Sequence, residues 1–192
     1  MQDSSTQPLR PVKRETLPGA AQAPGAGLLF LREEELRVAQ DLIFFALRDL
    51  NAAPDNILAE LDFGRAHHRT LHWIGRRPGL KVGELLAILG ITKQSLTRVL
   101  GPLIRQGFVA QAAGQSDRRQ RLLTLTEKGE ALERKLFEVQ RERLLAAYRE
   151  AGGPAVEGFR RVLRGMILQQ GRAFMDAQDS QRAANKGPRS WA

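Results

Sequence analysis

Within seven residues the sequence sets Thr92, Lys93, Gln94, Ser95, Thr97 and Arg98, a run of hydroxyl, amide and cationic groups with no carboxylate among them. That mixture suits the edges and phosphates of a nucleic acid. A glutamine can pair with an adenine edge and an arginine with a guanine edge, each worth about 1 to 3 kcal/mol of discrimination, which makes Gln94 and Arg98 the base readers. Lys93, Ser95 and Thr97 more naturally meet phosphates. Further along, Arg118, Arg119 and Arg121 crowd a polar segment, and a guanidinium carried there, Arg119 by choice, can enter an adjacent minor groove. Asp117 is the odd acid of that segment and is expected to hold one of these arginines by a charge-assisted hydrogen bond. Lys81 and Arg105 are candidate contacts to the phosphate backbone, as are Arg65 and Arg69, for which the wall of a small-molecule pocket is the alternative.

Other chemistry is poorly supplied. His67, His68 and His72 share one predicted helix, and His68 with His72 at i, i+4 can offer two imidazoles, but two nitrogens are not a metal site and no carboxylate stands in the same turn. Packing, phosphate contact or a pH-sensitive interface are the ordinary roles for such residues. There is no cysteine, which removes thiolate sites, disulfides and thiol switches and agrees with a reducing cytoplasm. No metal or cofactor is expected. The chain has no nucleophile elbow, phosphate-binding glycine loop or His-Glu-x-x-His, so an enzyme is the weakest reading. Met1 to Arg10 is polar and Leu28 to Leu31 is far shorter than the roughly 20 apolar residues of a membrane span, which predicts a cytoplasmic, nucleoid-associated protein with no membrane partner.

The charge is localised. Between Gly64 and Arg121 eleven basic residues face only Glu84 and Asp117, which accounts for the whole formal charge of +9. The excess is therefore one electrostatic footprint on one module, the pattern expected of a partner for double-stranded DNA.

The elements that must position these groups follow from periodicity. Val82, Leu85, Leu86 and Leu89 fall at i, i+3, i+4 and i+7 before Gly90, and Leu96, Val99, Leu100 and Leu103 repeat the spacing after Thr92, a residue suited to cap the second helix. Two short helices so joined make a helix-turn-helix. Phe108 to Ala112 and Arg121 to Leu125 read as the strands of a hairpin, the wing. Gly64 to Arg76 reads as a preceding helix. Glu33 to Asn51 carries a wide apolar stripe, followed by a turn at Asn51 to Asp55 around Pro54 and a short helical segment at Ile57 to Leu61. After Thr126 a long helix runs to Gly152, Gly153 and Pro154, and a last one places Phe159, Val162, Leu163, Met166, Ile167 and Phe174 on one face. The fold class is mainly α with a small β-hairpin wing: a winged helix-turn-helix core between N- and C-terminal dimerisation helices. The boundaries are a loose tail at 1–30, a dimerisation helix at 31–55, the DNA-binding module at 56–125, dimerisation helices at 126–177 and a tail at 178–192.

The run Asp117-Arg118-Arg119-Gln120-Arg121-Leu122-Leu123-Thr124-Leu125-Thr126-Glu127-Lys128-Gly129 resembles the wing-to-helix signature of the MarR family: an Asp, an Arg two residues later, then Leu-Thr and Lys-Gly. The resemblance extends from about Glu33 to Phe174, and Asp62 to His72 is similar to the PetP-like branch of that family. It implies a two-fold homodimer whose first and last helices interlock and whose winged modules enter successive major grooves. Wide apolar stripes at both ends of a basic module point the same way, since they would otherwise leave large patches exposed. One departure is Gly101-Pro102, which falls inside the recognition helix where such helices run unbroken, and predicts a bend or an early end there.

Two readings compete. The first is a sequence-specific transcriptional regulator, with or without an unknown small-molecule effector that lowers its DNA affinity. The second is a winged-helix module that binds DNA nonspecifically as an architectural protein, or binds protein.

Overall fold

The computed structural model describes residues 32–114 and 120–185. The tail expected at 1–30 lies outside the described residues, as does 186–192. The chain divides into two units, Met1–Asp41 and Leu42–Ala192. In the first, the helix α1 (Glu33–Ala59) begins with Glu33, Glu34 and Glu35 in its opening turn, where the positive end of the helix dipole favours carboxylates, and Arg37 reaches back one turn to Glu33.

In the second unit α1 continues without a break through Pro54, so the turn expected at Asn51 to Asp55 and the separate segment at Ile57 to Leu61 are replaced by one helix. Proline removes the N–H that would bond the carbonyl of Leu50. The amide of Gln140 takes its place, donating at 3.5 Å to Leu50 O, with Asn51 Oδ1 at 3.4 Å. The Pro54 side chain itself is buried, so the residue that threatens the helix also seats it in the core.

The helix α2 (Arg65–Arg76) follows Gly64. The strand β1 (Leu80–Lys81), the helices α3 (Val82–Leu89) and α4 (Lys93–Arg105), and the strands β2 (Val109–Ala113) and β3 (Arg121–Leu125) then complete the winged module. Both helices of the predicted pair are present. Gly90 ends α3 in the left-handed conformation, and Thr92 Oγ1 accepts from Ser95 N to cap α4. The sheet is antiparallel in the order β1-β3-β2, with Leu80 and Gln111 flanking Leu123. β1 was not visible in the sequence: two residues are too few to show an alternation.

The helix α4 also runs through Gly101-Pro102 to Arg105, against the expected bend or early end. Proline costs a helix interior about 3 kcal/mol. Leu100 and Leu103 are buried on either side of it, and the bonds Gln106 N to Pro102 O at 2.9 Å and Phe108 N to Leu103 O at 2.8 Å close the helix beyond it. Core packing therefore outweighs the local penalty.

The module's core gathers Leu58 of α1, Leu71 and Ile74 of α2, Leu85 of α3, Leu96 and Leu103 of α4, Leu123 of β3, and Leu136 of α5 (Glu127–Met166). Gly152 interrupts α5 with a non-helical conformation, φ 77° and ψ 166°, dividing it into arms at 127–151 and 153–166. The expected single last helix is two pieces. Phe159, Val162, Leu163 and Met166 lie on the second arm, whereas Phe174 lies on α6 (Gln169–Asn185), which runs past the expected start of the tail at 178.

Candidate nucleic-acid interface

The first two turns of α4 carry the predicted reading groups on its solvent side, because Leu96, Leu100 and Leu103 claim the other side for the core. All three hydroxyls are committed to the helix itself. Ser95 Oγ lies 3.0 Å from Thr92 Oγ1, and Thr97 Oγ1 donates to Lys93 O at 2.9 Å. The side chains of Lys93, Gln94 and Arg98 are exposed and make no hydrogen bond or ion pair among the described residues. These three are thus the side chains best able to meet a partner.

Beside them, a cleft of about 740 Å³ opens between the start of α3, the face of α4 and the base of the wing. Lys81, Lys93 and Arg121 line it together with Thr97, Gln111 and Gln120. Three cations from three separate elements therefore converge on one hollow, although Lys81 and Arg121 were placed in different classes by the sequence. Gln111 and Gln120 were missed because their side of the hairpin depends on strand register. Arg105 folds back along α4 instead: its Nη1 lies 3.1 Å from where a Cβ on Gly101 would sit. Arg65 is bound to Asp55, with Nε and Nη2 at 2.9 and 2.8 Å from Oδ2, and neither it nor Arg69 lines the cleft. Asp117, Arg118 and Arg119 lie outside the described residues.

The root of the wing is fixed by the junction of β3 and α5. Thr126 Oγ1 accepts from Gly129 N at 3.1 Å and donates to Gly107 O at 2.6 Å, so one hydroxyl caps α5 and pins the turn after α4. Lys128 Nζ donates to Gln106 O at 2.9 Å and lies 4.2 Å above the Phe108 ring. A Cβ on Gly129 would stand 2.0 Å from Phe108 O. The Thr, Lys and Gly of this run are therefore each required by the contact between helix, turn and strand.

The histidines occupy packed positions around α2. His67 Nδ1 accepts from Gly64 N at 3.0 Å at the start of α2, and its ring stacks on Phe63 at 4.6 Å. His68 is buried, and His72 Nδ1 stands 3.6 Å from Glu133 Oε1 of α5. Burial holds all three imidazoles below their usual range and pushes the Glu133 carboxyl above its own. No group of three His, Cys, Asp or Glu side chains able to hold a metal occurs among the described residues. No described helix is long and apolar enough to cross a membrane.

A sequence model of the MarR family matches residues 61–120. The HTH-type transcriptional regulator PetP of Rhodobacter capsulatus is 55% identical over 146 residues, spanning 76% of this chain and 88% of that protein. The chain belongs to the MarR family. Among solved structures, MarR covers 77% of this chain and 93% of its own, with a TM-score of 0.55 and 22% identity. A mutant MarR from E. coli complexed with operator DNA covers 70% and 97%, with a TM-score of 0.55 and 21% identity. The winged-helix fold expected from the sequence is thus the fold of the MarR proteins, with one more strand than the hairpin alone. The relatives are named as transcriptional regulators rather than enzymes, and the chain is a regulator of that family.

Proposed function

We propose that this MarR-family chain is a homodimeric regulator that binds double-stranded DNA in a sequence-specific way, with α4 in the major groove and the wing beside it. The observation that carries the reading is the pairing of exposed Lys93, Gln94 and Arg98 on α4 with the cleft that gathers Lys81, Lys93 and Arg121. Gln94 and Arg98 read base edges; Lys93, Lys81 and Arg121 hold phosphates. Thr92, Ser95 and Thr97 keep the helix start in shape and lend what hydroxyl capacity remains. Arg118 and Arg119 complete the wing, steered by Asp117, and Arg69 and Arg105 supply outlying charge. Such a protein works at the nucleoid in the cytoplasm.

Dimerisation is supported by apolar side chains that the described chain leaves uncovered. Leu42, Phe44, Phe45 and Leu47 are exposed on α1, as are Phe159, Val162, Leu163 and Met166 on the second arm of α5. Stripes of this kind need a partner, and a second copy supplies matching ones. A cavity of about 630 Å³, lined in part by Trp73, Ile88, Leu89, Phe174 and Met175, has the size and apolar walls that a small-molecule effector requires.

The deciding experiment selects bound duplexes from a random-sequence pool with the purified protein at about 0.15 M salt, where nonspecific attachment is weakened. Recovery of a two-fold symmetric motif is expected. An unenriched pool bound with a steep salt dependence would instead make the protein an architectural DNA-binding module.

A further inference from the structure

The helix α6 turns back from the end of α5 and meets the winged module at an aromatic contact. Phe174 packs edge-on against Trp73 of α2, with centroids 5.0 Å apart and planes at 87°, and the Arg77 guanidinium lies 5.1 Å from the Phe174 centroid. At its root α6 is tied to the second arm of α5. Arg164 pairs with Asp176 at 3.5 Å and with Asp179, while Arg172 donates to Ile167 O and Gly165 O at 2.7 Å each, satisfying carbonyls that the end of α5 leaves open. Between ring and root lies the 630 Å³ cavity, walled on the module side by Ile88 and Leu89 of α3. The ring contact and the ion pairs at the root thus join α6 to both the module and the second arm.

What this attachment spans is the interruption at Gly152. The first arm of α5 is seated in the module's core through Leu132 and Leu136, and the second arm leaves it at a glycine of positive φ whose surroundings are open. A glycine in open space places little restraint on the direction of the chain beyond it. The second arm is nonetheless tied back to the module through α6, at Trp73 and Arg77.

We propose that α6 is a strap that fixes the angle of α5 at Gly152, with Phe174 as its positioning residue. This rests on the dimeric DNA-binding reading above. If the second arms pair with one another, that angle sets the separation of the two recognition helices, so the strap determines which half-site spacing is read.

The full chain has no cysteine, so spin labels can be placed cleanly at Ala110→Cys on the wing strand and Arg160→Cys on the second arm, with labelled protein diluted into unlabelled protein. The distance distribution should be narrow in the parent and broad in Phe174→Ala. Phe174→Tyr, which keeps the ring, should restore it, and Asp176→Asn with Asp179→Asn should broaden it from the other end. On duplexes with the selected half-sites, Phe174→Ala should lose roughly fivefold in affinity at the preferred spacing and show little penalty when one base pair is added or removed. An unchanged distribution in Phe174→Ala overturns the strap, as does an equal loss of affinity at every spacing, which would mark a general loss of structure. If the parent selects no symmetric motif while the distribution still broadens in Phe174→Ala, the strap stands and the sequence-specific reading falls.

Discussion

Arg98 and Lys93 are neighbours on one helix face with different expected duties. Replacing Arg98 by alanine should weaken the selected duplex by about 1 to 3 kcal/mol and relax preference at one base pair, whereas Lys93→Ala should weaken every duplex alike, as competition binding against single-base variants would reveal. Equal losses on all duplexes for both variants would remove Arg98 from base reading. Gly129 makes a second residue-scale test. A methyl group there meets the carbonyl of Phe108, which belongs to backbone and cannot swing away, so Gly129→Ala should cost about 1 to 3 kcal/mol in denaturant unfolding. Some of this chemistry was legible in the sequence. A hydroxyl just ahead of an apolar periodicity identified Thr92 as a cap, and the sequence set Lys128 beside Gly129. The imidazole of His67 bonding Gly64 was not legible, since it depends on a rotamer and not on a spacing.

At the scale of elements, the histidine side of α2 makes the fold sensitive to acid. Burial lowers His67, His68 and His72, and His68 depresses His72 further, while Asp55 works against the burial of His68. Each imidazole thus titrates lower in the folded chain than in the unfolded one, so the unfolded chain takes up these protons first. Their contribution is complete above the unfolded value of 6.5 and is lost as the pH falls below it. Glu133 has the opposite sign, its raised carboxyl favouring the folded chain in acid and losing that contribution as the pH rises above 4.5. The thermal midpoint should therefore drop between about pH 7.5 and pH 5.5, and His72→Gln should flatten that slope. A slope untouched by the substitution would place the sensitivity elsewhere. The proline-free helices of the winged module were located closely from the sequence, as Val82–Leu89 illustrates. Pro54 and Pro102 misled it because their outcome is decided by distant partners, Gln140 for the first and the buried pair Leu100 and Leu103 for the second. The division of the C-terminal helices into a second arm and α6 was hidden for a related reason: apolar spacing carries across Ile167 and Leu168 although the helix does not.

For the whole molecule, the exposed face of α1 is the place to test assembly. Phe44 keeps 62% of its surface exposed, and its ring meets Phe45 edge-on at 5.3 Å. Phe44→Glu would set a carboxylate into the proposed dimer face and should shift sedimentation equilibrium toward monomer, with an intact circular dichroism spectrum and much weaker binding to the two-fold motif. A variant that stays dimeric would move the interface off this stripe. One short element also ties the molecule's parts together. Leu80 and Lys81 are rungs of the sheet, opposite Leu123 and Leu122, and Lys81 is at the same time the residue whose N–H is taken by Glu84 to start α3. Lys81 therefore belongs at once to the sheet that carries the wing and to the start of the helix-turn-helix. In the proposed complex, a duplex that stiffens the wing would thereby also stiffen the frame on which α4 is mounted, and the two proposed contact points would behave as one cooperative key rather than two independent teeth.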